Sequence, residues 1–483
     1  VTEAPAPTRA EPRRHGRDRA AVPWLAGIRL PAGLLAAVVV GSVLAVGTVH
    51  LPMLATVAAL TLAAMTVLLG RGPAPDRRTL VAWPALLCLA LAGWTLLQTV
   101  PLPIGALRAI APGTADVWER CLLPFGEPGP RWASLSLDPG ASLVEALKWT
   151  VYAGVFTIAA NVSRLHGSRW GVALVFVSAL AAALVTLGHG LLGATAVYGL
   201  YTPTFKTAAW HMGPLLNTNN LAGYLNLGVL CGLGLMMARR ATLPTWLLGP
   251  GVAAIVGIEV TSASRGGVAV LPFGIAALAL VTRRREHRAG VATGPWARLM
   301  VLAVAGGALL AQLGGTFGVW SELLDRDLSK IKMVAWAKPL VLDYPVFGIG
   351  RGAFESVFPL YRQTLGNFVF THAENFPVQW VAEWGLPVGL VALAAFAWGL
   401  RPRALLVHKG SIAAGAWIGV VVVLAQNLVD LALEVPGVCI ALATVLGSLW
   451  GEADRVAGRG RPQPDEDVAP PRVGARFLAI AGA

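Results

Sequence analysis

Residues 171–194 read GVALVFVSALAAALVTLGHGLLGA, a run without a single carboxylate, lysine or arginine. A helix rises about 1.5 Å per residue and the hydrocarbon of a bilayer is roughly 30 Å thick, so about twenty mainly apolar residues are needed to cross it. This run is long enough, and the rest of the chain repeats the pattern. Spans are expected at 30–49, 51–70, 80–100, 146–163, 171–194, 220–238, 245–263, 266–282, 299–318, 378–400, 411–431 and 435–450. Of the 483 residues 56% are hydrophobic and only 13% charged, the balance of a chain solvated by lipid. An unpaired backbone amide is costly in lipid and these runs lack the alternation of barrel strands, so each is expected to be a helix. The fold class that follows is all-α, a polytopic integral membrane protein with about twelve transmembrane helices.

Positive charge sorts the connections. Arg9, Arg13, Arg14, Arg17 and Arg19, then Arg71, Arg77 and Arg78, then Arg164 and Arg169, then Arg239 and Arg240, then Arg283, Arg284, Arg285 and Arg288, then Arg401, Arg403 and Lys409, and last Arg455 and Arg459 fall in the N-terminal tail, every second loop and the C-terminal tail. Both termini are therefore expected in the cytoplasm, with a disordered basic tail over 1–24, a transmembrane domain over 25–451 and a second tail over 452–483. The first tail lacks an apolar core of its own and does not read as a cleaved signal peptide. A net charge of +13 sits mostly in these loops and tails, where anionic headgroups and not nucleic acid are the expected neighbours. Cys88, Cys231 and Cys439 lie in apolar spans and Cys121 stands alone outside, which suggests neither a disulfide framework nor a metal cluster.

Two external loops, 101–145 and 319–377, exceed what connection requires. The second, between spans nine and ten, carries Trp320, Trp336, Phe354, Phe358, Tyr361, Phe368 and Phe370. It is expected to pack as a partly helical cap, with Lys332 to Val341 as one helical piece. Candidate functional residues gather on the same side. Ser264 and Arg265 break two apolar spans, and an Arg so close to hydrocarbon needs a partner or a ligand, unless it snorkels at a helical hairpin. Gln426, Asn427, Asp430 and Glu434 recur at spacings of three and four and are expected to share one helix face, as a structural network that includes Arg265. His372, in Phe370-Thr-His-Ala-Glu-Asn375, has an unperturbed pKa near neutrality and suits a proton acceptor, the structural alternative being a cap on the next helix. Lys332, Lys338, Arg351 and Arg362 suit an anionic phosphate, with solvated surface charge as the alternative for each. Asp325-Arg326-Asp327 has carboxylates at a spacing seen around divalent cations, but three residues match by chance and no metal site is assigned.

Ordered motifs add a resemblance. They are Gln98-Thr-Val-Pro-Leu-Pro103, Ser134-Leu-Ser-Leu-Asp-Pro139, Asn217-Thr-Asn219-Asn-Leu-Ala222, Ser264-Arg265-Gly266, Pro345-Val-Phe-Gly348-Ile-Gly350-Arg-Gly352-Ala-Phe354, and His372-Ala-Glu-Asn375 leading into Gln379-Trp-Val-Ala-Glu383-Trp-Gly385-Leu. Between about residues 80 and 450 the chain resembles the O-antigen ligase and O-antigen polymerase superfamily, bacterial enzymes that transfer lipid-carried glycans outside the cytoplasmic membrane. The resemblance implies inverting, metal-independent transfer from an undecaprenyl pyrophosphate-linked glycan to a glycan, lipid A core or other hydroxyl acceptor, as in O-antigen, exopolysaccharide, capsule or lipopolysaccharide assembly. It needs no cofactor and works at the periplasmic face of the inner membrane. Carried over by position, His372 takes the base role, with Glu374 standing where many members have a second His. Arg265 is the firmest pyrophosphate ligand, joined by Lys332, Arg351 and Arg362, with Asn217, Asn219 and Asn375 in support. Lys332 stands where many members have Arg, keeping the charge but losing the bidentate fork. A carboxylate beside His372 would raise the imidazole pKa and orient its tautomer. Two other classes compete: a transporter or flippase of lipid-linked oligosaccharide, for which Glu259 and His189 are the candidate midplane charges, and an inactive scaffold.

Overall fold

The computed structural model describes residues 23–70, 79–203, 208–238, 243–261, 264–289, 329–363 and 369–458. It is an all-α membrane protein. Helices α1 (Pro23–Leu44) and α2 (Leu51–Leu69) form a hairpin, and α3 (Trp83–Gln98) leads into a short cap segment. That segment holds β1 (Leu102–Pro103), α4 (Ile104–Ile110), α5 (Pro112–Arg120) and β2 (Trp132–Ala133), with Leu102 of β1 opposite Ala133 of the antiparallel β2. Then follow α6 (Pro139–His166), α7 (Arg169–Leu192), α8 (Thr218–Met236), α9 (Thr245–Thr261) and α10 (Arg265–Ala289). The second cap segment holds α11 (Ser329–Asp343) and α12 (Phe354–Val357). The chain closes with α13 (Phe376–Trp384), α14 (Leu386–Gly399), α15 (Ser411–Gln426) and α16 (Pro436–Gly458).

Among the described residues α2, α6, α7, Gly266–Arg284 of α10 and α16 are long and apolar enough to cross a membrane, and five shorter apolar helices accompany them. Leu62, Trp246 and Phe273 stand exposed on these helices, apolar surface that is stable against hydrocarbon and not against water. The centre is α6 along α16 and α3, beside α8 against α7, α9 and α15. Gly447 and Gly451 of α16 let it approach α6 until an added Cβ would lie 2.4 Å from the Phe156 carbonyl oxygen and 2.0 Å from that of Ala160. This is the close contact that small residues four apart allow between membrane helices.

Each expected span falls on a helix except 299–318, which lies outside the described residues. Three boundaries differ for physical reasons. The expected fourth span begins at Pro139 and not 146, because Asp138 caps the helix by accepting from Ala141 N at 3.0 Å and Pro139 suits the first turn. Its first three turns carry Glu145 and Lys148, whose charges are hidden in ion pairs that hydropathy cannot foresee. The expected tenth span is two helices broken at Gly385. The expected eleventh ends at Gln426, so Asp430 and Glu434 lie in an irregular crossing and do not continue one helix face with Gln426.

Candidate active site

The two cap segments meet in a hydrogen-bonded knot built from the sequence motifs. Gln98, at the end of α3 and fully buried, donates from Nε2 to the carbonyls of Phe347 at 2.8 Å and Glu383 at 2.9 Å, and its Oε1 accepts from Arg351 N at 3.2 Å. Ser136 N donates to Gln98 O at 2.8 Å and Leu137 N to Ile349 O at 2.9 Å. Ile349 and Gly350 in turn donate to the Ala382 and Glu383 carbonyls at 3.0 and 3.1 Å. The turn Gly348-Ile-Gly-Arg-Gly352 passes through this space only because its glycines adopt positive φ. At Gly350, with φ +96°, a Cβ would lie 2.2 Å from Ser136 Oγ.

The knot delivers Arg351 into the protein, where its side chain is 3% exposed. Its Nε lies 3.0 Å from Glu145, and its two terminal nitrogens pair with Glu383 and Glu434. Glu145 also pairs with Lys148 one turn on. Below, Arg351 borders an apolar cavity of about 110 Å³ lined by Trp83, Trp149, Phe156, Phe396 and Trp450. A guanidinium there has no water to turn to, so the carboxylates are its solvation. Burial opposes the charge of Arg351, and Glu434, Glu145 and Glu383 more than restore it. Three carboxylates thus gather around Arg351 and Lys148. Expected on a pyrophosphate, Arg351 occupies the place of an internal countercharge.

A second knot lies around α8 and α10. Asn217 caps α8 by accepting from Asn219 N at 2.8 Å. Ser264 donates to Asn219 Oδ1 at 2.9 Å, and Gln426 donates to Asn219 O at 2.9 Å and to Asp430 Oδ2 at 3.0 Å. Asn217 and Asn219 thus brace the junction from which α10 starts at Arg265. The Arg265 side chain, and with it the expected pairing to Gln426, Asp430 or Glu434, lies outside the described residues. So do Trp320, Phe368 and Asp325-Arg326-Asp327.

The crossing at 426–434 ties the two knots together. Asn375 caps α13, accepting from Val378 N at 3.0 Å, and donates from Nδ2 to Leu428 O at 2.9 Å; Phe376 N donates to Asn427 O at 3.2 Å. The cap role considered for His372 therefore belongs to Asn375. His372 is half-buried at the rim, with Nδ1 2.9 Å from Thr371 Oγ1 and Nε2 3.9 Å from Glu434 Oε2. Burial lowers its pKa below the ordinary imidazole value, and Glu434 reverses this only in part. The net direction is opposite to the raised pKa expected from a neighbouring carboxylate, and the carboxylate at ion-pair distance is Glu434. Glu374 is half-buried with φ +47°, the left-handed region that a non-glycine residue rarely adopts.

The described aromatic residues of the second cap segment pack together. Met333, Ala337, Leu340 and Tyr344 of α11 and the turn after it are buried against Phe354, Phe358, Ala373 and Ala382. Phe358 stacks on Phe354 at 4.5 Å and meets Phe370 edge-on at 5.6 Å. Lys332 and Lys338 lie on the opposite, exposed face of α11, and Arg362 is half-buried after the Phe358–Leu360 turn. Of the groups behind the transporter reading, His189 has both ring nitrogens engaged by backbone, with Met212 O at 2.8 Å from Nδ1 and Tyr198 N donating to Nε2 at 2.9 Å, while Glu259 is buried in α9.

Residues 250–393 match the family model described as O-antigen ligase. Over this segment the chain is similar to the O-antigen ligases, which supports the O-antigen ligase and polymerase superfamily. The matched ligase segment contains Arg265, Lys332, Arg351, Arg362, His372, Glu374 and Asn375, whereas Asn217, Asn219, Glu145 and Glu434 fall outside it. No curated protein matches the chain. Sequence reading missed Glu145 and Glu383 as partners of Arg351. Their only signal was the presence of carboxylates inside otherwise apolar or aromatic runs, at Glu145 before the fourth span and Glu383 within the tenth.

Proposed function

We propose that this protein is a ligase or polymerase that transfers a glycan from undecaprenyl pyrophosphate to an acceptor hydroxyl at the periplasmic face of the bacterial inner membrane. The observation that carries the reading is the place of Arg265 and His372. Both lie in the segment matched by the O-antigen ligase model, and the loops that bear them are braced by one crossing, 426–428, through Asn219 and Asn375. In this reading the chain has twelve spans with both termini cytoplasmic, so that the two cap segments face the periplasm.

His372 accepts the acceptor's proton as the oxygen attacks the anomeric carbon opposite the pyrophosphate, which inverts that centre. A lowered imidazole pKa keeps the base neutral at pH 7, the form that accepts a proton. Glu374 is the alternative base, and its strained backbone supports a positioned side chain. Arg265, at the first turn of α10, holds the departing pyrophosphate, where each preorganised donor contributes about 3 kcal/mol. Lys332 and Arg362 supply further positive charge from the cap. Arg351 is left to hold the carboxylates, because a phosphate drawn to it would meet Glu145, Glu383 and Glu434 as well.

The test is transfer by the purified protein in detergent from an undecaprenyl pyrophosphate-linked glycan, with and without EDTA, in wild type and in His372→Ala, Glu374→Ala and Arg265→Ala. Turnover that survives EDTA and is lost in Arg265→Ala and in one of the other two supports the reading and names the base. Full activity in all three variants would overturn the site, and turnover abolished by EDTA would overturn the metal-independent mechanism.

A further inference from the structure

We propose that Glu434 positions His372 as a dyad, holding the imidazole in the tautomer with the proton on Nε2 and leaving Nδ1 as the atom that takes the acceptor's proton. This deepens the transferase reading and rests on it. Nε2 lies 3.9 Å from Glu434 Oε2, within ion-pair distance, while Nδ1 lies 2.9 Å from the hydroxyl of exposed Thr371. One nitrogen therefore looks inward to a carboxylate and the other outward to a hydroxyl on the rim. An acceptor hydroxyl arriving at the rim meets Nδ1 from the side that Thr371 now occupies.

The carboxylate is itself fixed. Glu434 Oε2 receives an Arg351 terminal nitrogen, and Arg351 is clamped from its other edges by Glu145 and Glu383. The backbone holds the same group, since Leu433 N donates to Asn427 Oδ1 at 2.8 Å and Glu434 N to Leu431 O at 2.9 Å. The charged groups that face His372 are Glu434 before α16, Glu145 and Lys148 on α6, and Arg351 in the glycine-rich turn, with Glu383 of α13 behind Arg351 and Glu374 two residues along. Of these, Glu434 brings a carboxylate oxygen to ion-pair distance of the imidazole. Arg351 holds that carboxylate in place.

In the step, the acceptor O–H proton moves to Nδ1 as the oxygen forms its bond to the anomeric carbon. The bond from that carbon to the pyrophosphate oxygen breaks, and the electron pair leaves with the pyrophosphate. The imidazolium that results carries its second proton on Nε2, where Glu434 stabilises the new positive charge.

The experiment combines the ¹⁵N spectrum of histidine-labelled protein, with His372 assigned by its absence in His372→Ala, and the pH profile of kcat/KM in wild type and Glu434→Gln. Expected are the Nε2–H tautomer at His372 in wild type and a mixture of tautomers in Glu434→Gln. The acid limb of the variant should lie about one pH unit lower, because a negative charge beside the imidazole is gone, and kcat should fall about tenfold with KM little changed. An Nδ1–H tautomer in wild type overturns the proposal, and this measurement needs no variant to fold. So does a folded Glu434→Gln protein whose tautomer and acid limb match wild type, since a purely structural Glu434 would move neither. Absence of turnover with every lipid-linked donor would count against the transferase reading, and the tautomer spectrum would still decide the dyad.

Discussion

The guanidinium of Arg351 and the imidazole of His372 share one carboxylate, and the two side chains answer to different physics. Arg351 is permanently charged and nine-tenths or more enclosed, so three carboxylates are gathered around it as partners. Removing it in Arg351→Ala strands those charges. The expected loss is about 3 to 5 kcal/mol of stability, read as a lowered Tm in detergent or as loss of the monodisperse species, with Arg351→Lys intermediate. His372 sits at the rim and titrates. Its folded-state pKa lies below the unfolded value, so the neutral imidazole's contribution to stability is complete above about pH 6.5 and is lost as pH falls toward the folded-state pKa. The same sign applies to catalysis. Activity governed by His372 should hold at neutral pH and fall on an acid limb below about pH 6.5, and His372→Ala should abolish that limb with a loss of about 10²- to 10⁴-fold in kcat. An acid limb above about pH 7 would show that another group sets the protonation state.

The interruption between α13 and α14 is the element that shapes the site. Apolar residues run on either side of Gly385, and by hydropathy alone they make one span. The chain bends there because Gly385 adopts φ +83° and lets the Pro345–Gly350 turn come so close that a Cβ would lie 2.1 Å from Val346 O. Leu386 N donates to Pro345 O at 2.8 Å, closing the contact. Gly385→Ala should therefore cost at least about 1 to 3 kcal/mol from backbone strain alone, measured as a lower Tm, and should reduce turnover by displacing Glu383 and the Arg351 turn. Gly93 of α3 is the control, a helical glycine where an added Cβ meets nothing within 4 Å, and Gly93→Ala should leave both readouts near wild type. The crossing at 426–434 has the same character as the break at Gly385. Its polar residues at spacings of three and four imitate a helix face, yet the helix stops at Gln426, where Asn427 bonds local backbone and Asp430 accepts from Leu431 N and from the Gln426 side chain.

Across the whole molecule, the motifs that carry the family resemblance are mostly joints. Gln98, Ser136, Gly350 and Glu383 meet in one knot and Asn219, Ser264 and Gln426 in another, and the crossing joins the two. The two cap segments are thus one unit on one end of the bundle. The proposed topology, with both termini cytoplasmic, predicts that a membrane-impermeant thiol reagent applied to intact cells labels exposed Cys121 in the first cap segment and does not label a cysteine introduced at Arg401 or Arg403. Labelling in the reverse sense would invert the topology and move the site to the cytoplasm.

Apolar run length by itself determined the all-α membrane class and the approximate places of most described helices, because the need to bury backbone polarity in lipid acts on composition before any tertiary contact forms. Motif order pointed to the family that the match over 250–393 supports, and Arg265 and His372 lie within that matched segment. Partnership was a different matter. That Arg351 is satisfied by Glu145, Glu383 and Glu434, and that Glu434 comes to ion-pair distance of His372, depends on segments far apart in the chain meeting at one point. A charge in a sequence shows only that it must be compensated. Which charge compensates it is set by where the folded helices and glycine turns place the side chains.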